Sequence, residues 1–174
     1  HYGGTLTHGS DYLVKYLPFG KAEKKGLVTV TNVKDAVVFD HLVNPILENK
    51  CASCHNSSKK KGGLSFQDSL TIMKGGKNGS ILIEGNASKS EMIKRVLLNR
   101  NHEKFMPPEG KTPLTDKEVK ILTYWIENAK ASFHNKIGTV ETSEDILVKA
   151  SAILGLPGYG TTLKEGLPAA KAIT

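Results

Sequence analysis

The feature that most constrains this chain is the run Cys51-Ala52-Ser53-Cys54-His55. These are the only two cysteines in 174 residues. Two thiols three positions apart, followed directly by histidine, suit the covalent attachment of haem. Each thiol adds to one haem vinyl group, and the histidine falls beneath the iron as its proximal ligand. A local disulfide or half of a zinc site is the alternative use of such a run. A zinc site would need His102 or His134 as further ligands, and neither stands at the spacing of a familiar zinc module.

The opposite face of an iron needs a second donor. The chain has three methionines, Met73, Met92 and Met106. Met73 and Met92 fall at apolar positions of expected helices, where core packing is the default. Met106 stands in a polar loop, Phe105-Met106-Pro107-Pro108, where an apolar residue needs a reason. Pro107 keeps its predecessor out of the helical region, and Pro108 stiffens the loop further. A stiff loop lowers the entropy cost of holding a neutral thioether against iron. A thioether opposite histidine favours the ferrous state and raises the potential. His102 is the rival ligand.

Composition fits a chain that relies on a bound group. The hydrophobic fraction is 39% and the aromatic fraction 6%, low for a self-sufficient core of this length. The formal charge is +7 and the isoelectric point about 9.3. Such a surface favours acidic partners. Nucleic acid is not expected, because no basic stretch is interleaved with stacking aromatics. There is no signal peptide and no apolar run long enough to span a membrane. The chain starts at His1, and we read it as a fragment or processed form whose export is directed by a segment outside it.

Along the chain, residues 1–34 read as a lead-in segment, with a short helix over Asp11 to Leu17 capped by Ser10 and an extended piece over Leu27 to Thr31. His8 is read as a loop histidine. Residues 35–133 read as the main domain. Val37, Val38, His41, Leu42, Ile46 and Leu47 recur at helical spacing. Pro45 predicts either a kink or a restart with Asn44 as N-cap. The helix then delivers Cys51 to His55 at its end. Lys59, Lys60 and Lys61 follow, as a solvated face or a docking patch. Gly62 and Gly63 predict a turn beneath His55 whose carbonyl accepts the Nδ1 proton.

Further helices are expected from Asp68 through Met73, stopped by Gly75-Gly76; from a capping box Ser88-x-x-Glu91 to about Asn99, with Arg95 in reach of a haem propionate; and from a second box, Thr115-x-x-Glu118, with Val119, Leu122, Trp125, Ile126 and Ala129 inward. Ile81-Leu82-Ile83 is expected to run extended over haem or core. Residues 134–174 hold the rest. Phe133 to Glu141 reads as a linker. A helix from Glu144 to Leu154, capped by Thr142 or Ser143 and ended by Gly155, puts Ile146, Leu147, Ala150 and Ile153 on one face, and an irregular tail follows. The whole is all-α with irregular extensions at both ends.

Taken together, Pro45-Ile46-Leu47 before the Cys-x-x-Cys-His run, Lys61-Gly62-Gly63-Leu64, Ser90-x-Met92-x-x-Arg95, Met106-Pro107-Pro108, Leu114-Thr115 and Trp125-Ile126 resemble the planctomycete-type cytochrome c domain. The resemblance covers about Asp35 to Phe133, in the family's order and spacing, with Met92 where the family usually has leucine. It implies a class I cytochrome c-like fold around one haem c. Cys51 and Cys54 carry that haem, His55 and Met106 ligate it, and Gly63, Leu64, Arg95 and Trp125 are further candidates for contact with it. It also implies electron transfer to a redox partner protein rather than catalysis, in the periplasm or another extracytoplasmic space. The lead-in Gly3-Gly4-Thr5-Leu6-Thr7-His8-Gly9 resembles the segment that follows a membrane-embedded portion in larger bacterial proteins, which implies a membrane-anchored parent. The rival functions are a haem sensor in which Met106 is displaceable, and a peroxidase-like enzyme, which would need an open iron position.

Overall fold

Pro45 decides the shape of the first long helical run. Proline cannot donate to the carbonyl four residues back, and its ring presses on that carbonyl. In the computed structural model, which describes residues 29–159, the chain meets this with a wider turn: Val38–Val43 is a π-helical segment, and the Asn44 N–H reaches the carbonyl of Phe39, five residues back. The regular helix α1, Asn44–Lys50, follows without a break. The kink is therefore the outcome. Asn44 is not an N-cap but a helical residue (φ −56°, ψ −42°), and its amide donates to Glu48 at 3.2 Å.

Four more α-helices follow: α2 (Ser69–Lys74), α3 (Glu91–Leu97), α4 (Asp116–Glu127) and α5 (Glu144–Leu154), with short 3-10 turns at Val33–Asp35, Lys61–Gly63 and Ile137–Thr139. The all-α expectation holds. Among the described residues, strand pairing is limited to two isolated bridges, Val37 with Lys136 and Gly76 with Gly79. The expected helix from Ser10, His8, Leu27-Val28 and the tail from Gly160 lie outside the described residues. Thr29 to Thr31 forms no strand.

The caps explain the boundaries. Asp68 accepts from the Thr71 N–H at 2.8 Å, and Gly75 (φ 76°) ends α2. Thr115 and Glu118 form the reciprocal box that starts α4. Ser143 accepts from the Ile146 N–H at the start of α5, and Gly155 closes it in the left-handed region. The box expected at Ser88 and Glu91 is absent. Ser88 donates to Asn86, and α3 starts one residue after Ser90, whose hydroxyl is spent on the Asn86 carbonyl (2.8 Å) and the Ile83 N–H (2.8 Å). Those bonds lock the loop before α3 rather than the helix itself.

The core lies between the kinked run, α4 and α5. Phe39, Leu42, Val43 and Leu47 face Leu122, Trp125 and Ile126, and Ile146, Leu147 and Ala150 close the third side. Two expectations about this side need correcting. Ile153 is exposed, while Ser151 is buried in its place. The segment from Phe133 to Glu141 is packed rather than a loose linker: Ile137 is 1% exposed, and the Thr142 hydroxyl sits 2.6 Å from that of Tyr124. Met73, expected in the core, is 36% exposed because α2 buries only Ile72.

Candidate functional site

Helix α1 ends at Cys51, and the chain then turns rather than continuing as helix. Cys51 N–H and Ala52 N–H both donate to the Leu47 carbonyl, while Cys54 N–H and His55 N–H donate to that of Cys51. This turn brings both thiols and His55 onto the wall of one cavity of about 440 Å³. That volume falls in the range of roughly 300–1,000 Å³ typical of small-molecule and cofactor sites. The thiols are not bonded to each other.

His55 is held from four directions. Its N–H is bonded to Cys51 (3.1 Å), its carbonyl accepts from Phe66 N–H (2.9 Å), and the Phe66 ring meets the imidazole edge-on at 5.7 Å. The fourth restraint is Nδ1, which lies 2.9 Å from the carbonyl of Lys61. A carbonyl can only accept, so Nδ1 carries the proton and Nε2 keeps its lone pair. The acceptor expected near Gly62 or Gly63 is thus Lys61, one residue before Gly62. Burial lowers the imidazole pKa from its usual 6.5, against the raising effect of that bond, and the charges of Lys61 and Arg95 lower it further. The ring is neutral at pH 7, as a metal ligand must be.

The turn that supplies Lys61 is braced from behind. Lys77 N–H donates to the Gly62 carbonyl at 2.8 Å. A Cβ on Gly76 would stand 2.7 Å from that same oxygen, so only glycine permits this approach. The turn from Gly75 to Gly79 therefore fixes the segment that fixes His55. Asn56 braces the other end: its side chain accepts from Ser58 and Lys59 N–H and donates to the Ala52 carbonyl at 2.8 Å.

Cys51 is the more enclosed thiol. Burial, with the charge of Glu118, pushes its pKa from 9.0 up to about 12, against the opposing influence of Lys50. Redox-active Cys-x-x-Cys pairs need a thiol with a depressed pKa, so this environment does not suit thiol–disulfide exchange.

Met106 lines the cavity too. Its N–H donates to the carbonyl of Arg95 at 3.2 Å, which ties the loop to α3. The far end of the loop is tied to α1. Lys50 Nζ donates to the Pro113 carbonyl at 3.1 Å and pairs with Glu118 at 3.7 Å. His102, the rival to Met106, is exposed, accepts from Lys104 N–H through Nδ1, and is not on the cavity wall. His134 is also away from the wall. Among the described residues no three His, Cys, Asp or Glu side chains are gathered as a metal cluster.

Leu64 and Arg95, both named from sequence, line the cavity. Arg95 Nε donates to Glu91 at 2.8 Å, and Glu91 lines the cavity beside it. Gly63 is exposed and is not on the wall, whereas Gly62 is. Trp125 is not on the wall either. It is fully buried in the core, where its Nε1–H donates to the Ser132 carbonyl at 2.8 Å. Of the residues that complete the site, Lys50, Phe66, Lys77 and Lys111 carried no signal in the sequence. Asn56 carried a weak one, since asparagine beside serines favours a side-chain-capped turn.

Two free thiols, a neutral imidazole with Nδ1 satisfied, a thioether and apolar walls from Leu64, Ile81 and Leu114 surround one space. This donor set fits a haem c and does not fit a hard-cation site, which would need oxygen ligands. No curated protein and no solved structure matches the chain. Residues 51–110, the stretch that carries Cys51, Cys54, His55 and Met106, match the model of the Planctomycete cytochrome C family.

Proposed function

We propose that this chain is a monohaem c-type cytochrome domain that relays single electrons. Cys51 and Cys54 would hold one haem c covalently, and His55 and Met106 would be the donors to its iron. The match to the family model supports haem-based electron transfer in general. The observation that carries the finer reading is the sharing of one cavity by His55 and Met106, each tied to its surroundings by main-chain hydrogen bonds.

When bound, haem supplies one-electron redox chemistry without bond making at iron. The chain does the rest. The Lys61 carbonyl holds the Nδ1 proton and so orients the imidazole and raises its basicity. Arg95 and Lys50 anchor the two ends of the Met106 loop, which opposes displacement of the thioether and so disfavours a sensor or a peroxidase. Leu64, Ile81 and Leu114 keep water from the apolar wall. Residues 35–133 carry the haem site, 1–34 lead into them, and 134–174 follow, with α5 packed onto the same core. The domain works outside the cytoplasm, where haem is attached covalently to such cysteine pairs. The parent is tethered to a membrane, a reading supported by the resemblance of the lead-in from Gly3 to Gly9; among the described residues no helix is long and apolar enough to cross one. The redox partner is an acidic protein.

The test is intact mass and an optical spectrum with and without reductant, after production with haem-attachment machinery. The mass should exceed the chain by one haem that acid–acetone cannot extract. The oxidised protein should show a six-coordinate, low-spin spectrum with the weak sulfur-to-iron band in the far red. Met106→Ala should abolish that band and lower the potential. A bare polypeptide mass would overturn the attachment. A spectrum indifferent to Met106→Ala but changed by His102→Ala would overturn the ligand.

A further inference from the structure

The wall of the cavity is strongly asymmetric in charge. Lys50, Lys61, Lys77, Arg95 and Lys111 line it, against one carboxylate, Glu91. The pairs formed there leave part of this charge uncompensated. Glu91 is bound to Arg95, and Lys50 is bound to Glu118. Lys61, Lys77 and Lys111 are exposed, and among the described residues none of them pairs with a carboxylate. They come from three separate segments: the turn after His55, the turn from Gly75 to Gly79, and the loop after Met106. Lys59 and Lys60, although next to Lys61 in sequence, are not on the wall.

We propose that Lys61, Lys77 and Lys111 form the docking surface for a redox protein that presents carboxylates. The inference rests on the electron-transfer reading above and adds the surface to it. A group held in the cavity comes nearest to solvent at the mouth, so a partner must approach there. Three unpaired ammonium groups around that mouth set up a positive local field. Such a field steers an anionic partner toward it and raises the encounter rate, by 10-fold or more in favourable cases, and salt screens it. The chain's overall charge of +7 cannot do this by itself, because charge spread over the surface attracts without orienting.

The experiment follows oxidation of the reduced, haem-loaded protein by two small one-electron oxidants of opposite charge, ferricyanide and the tris-phenanthroline cobalt(III) cation, as salt is raised. In each case one electron leaves the protein and the metal complex is reduced by one. The wild type should react with ferricyanide on the order of tenfold faster at low salt than at high salt. The double variant Lys77→Glu/Lys111→Glu should slow ferricyanide by a similar factor at low salt and speed the cobalt cation. Lys34→Glu/Lys136→Glu, which changes the total charge equally on segments away from the cavity, should change either rate by no more than about twofold.

Equal effects of the two double variants would overturn the docking surface and leave the electron carrier standing. So would a mouth variant that loses haem or shifts its potential while keeping the wild-type salt slope, since the lysines would then serve the carboxylates of the haem itself. A protein that neither reagent oxidises would overturn the electron-transfer reading, and the docking surface with it.

Discussion

The two halves of this molecule are held together differently. On the core side, Phe39, Trp125 and Phe133 form a ring cluster with centroids 4.5 to 5.7 Å apart, within the span favoured by tilted and edge-on aromatic pairs. Helices supply most of this side, and its largest side chains are buried in one cluster. On the cavity side the walls are loops. Leu64, Ile81 and Leu114 are only half buried, and the residues that matter are positioned by main-chain bonds and glycine contacts. The core closes with its own atoms, whereas the cavity keeps apolar faces that need a bound group to cover them. Changes of side-chain volume should therefore damage the first region, and changes of backbone position the second.

Trp125→Ala should have the largest effect. It removes the biggest fully buried side chain and leaves the Ser132 carbonyl without its donor. Truncation of a buried tryptophan costs about 3–5 kcal/mol. Denaturant unfolding should show that loss in the haem-loaded protein, while the potential of the remaining folded fraction stays close to wild type, since Trp125 is not on the cavity wall. A large shift in potential with little loss of stability would break the division between the two regions.

Gly76→Ala should behave the other way round. The added methyl would meet the Gly62 carbonyl at 2.7 Å, and backbone must move to relieve it. Overpacking of this kind costs about 1–3 kcal/mol. Its diagnostic effect lies at His55. Displacement of the Lys61–Gly62 turn weakens the bond from Nδ1–H, lowers the basicity of the imidazole and should raise the midpoint potential. The ring nitrogen resonances of His55 should move with it. If the protein is destabilised but the potential and those resonances stay fixed, the glycine turn supports only the fold.

These contrasts also explain what could be read from the sequence. Helix positions were legible wherever a local rule acted alone: Asp68, Thr115 and Ser143 cap the helices that follow them, and Gly75 and Gly155 end two of them. Ser88 misled because Ser90, two residues on, has a stronger claim on the loop through Ile83 and Asn86. Trp125 reads as a core residue from its apolar spacing on α4, and counts as a haem contact only because the core is expected to include the haem; it is buried away from the cavity wall. Cys51, Cys54 and His55 were legible because one turn carries all three. Lys77 and Lys111 were not, since their convergence with Lys61 depends on how three loops fold back, and no local pattern encodes that. The acceptor for His55 was legible as a carbonyl near Gly62 or Gly63, because the glycines mark the turn; that it belongs to Lys61 follows from how the turn folds, with Lys60 left-handed (φ 35°).

The smallest effect tests how far the core side extends. Tyr124, on α4, lies against the segment that precedes α5, and Thr142 already donates its own proton to the Ile137 or Val140 carbonyl, so Tyr124 must donate to Thr142. Burial raises the phenol pKa above its usual 10.0, and a bond in which the phenol is the donor favours its protonated form as well. The folded value lies above the unfolded one, so the native state retains a proton that the unfolded chain releases first. This contribution to stability is present in full below about pH 10 and is lost as pH rises through the folded value. Tyr124→Phe removes one hydrogen bond, worth about 0.5–1.5 kcal/mol, and removes the titration with it. At neutral pH the wild type should therefore be the more stable by about that amount, and the gap should narrow as pH climbs past 10. A gap that stays constant to high pH would mean that the phenol ionises equally in both states, and that the contact between α4 and the segment before α5 opens to solvent more readily than the rest of the core.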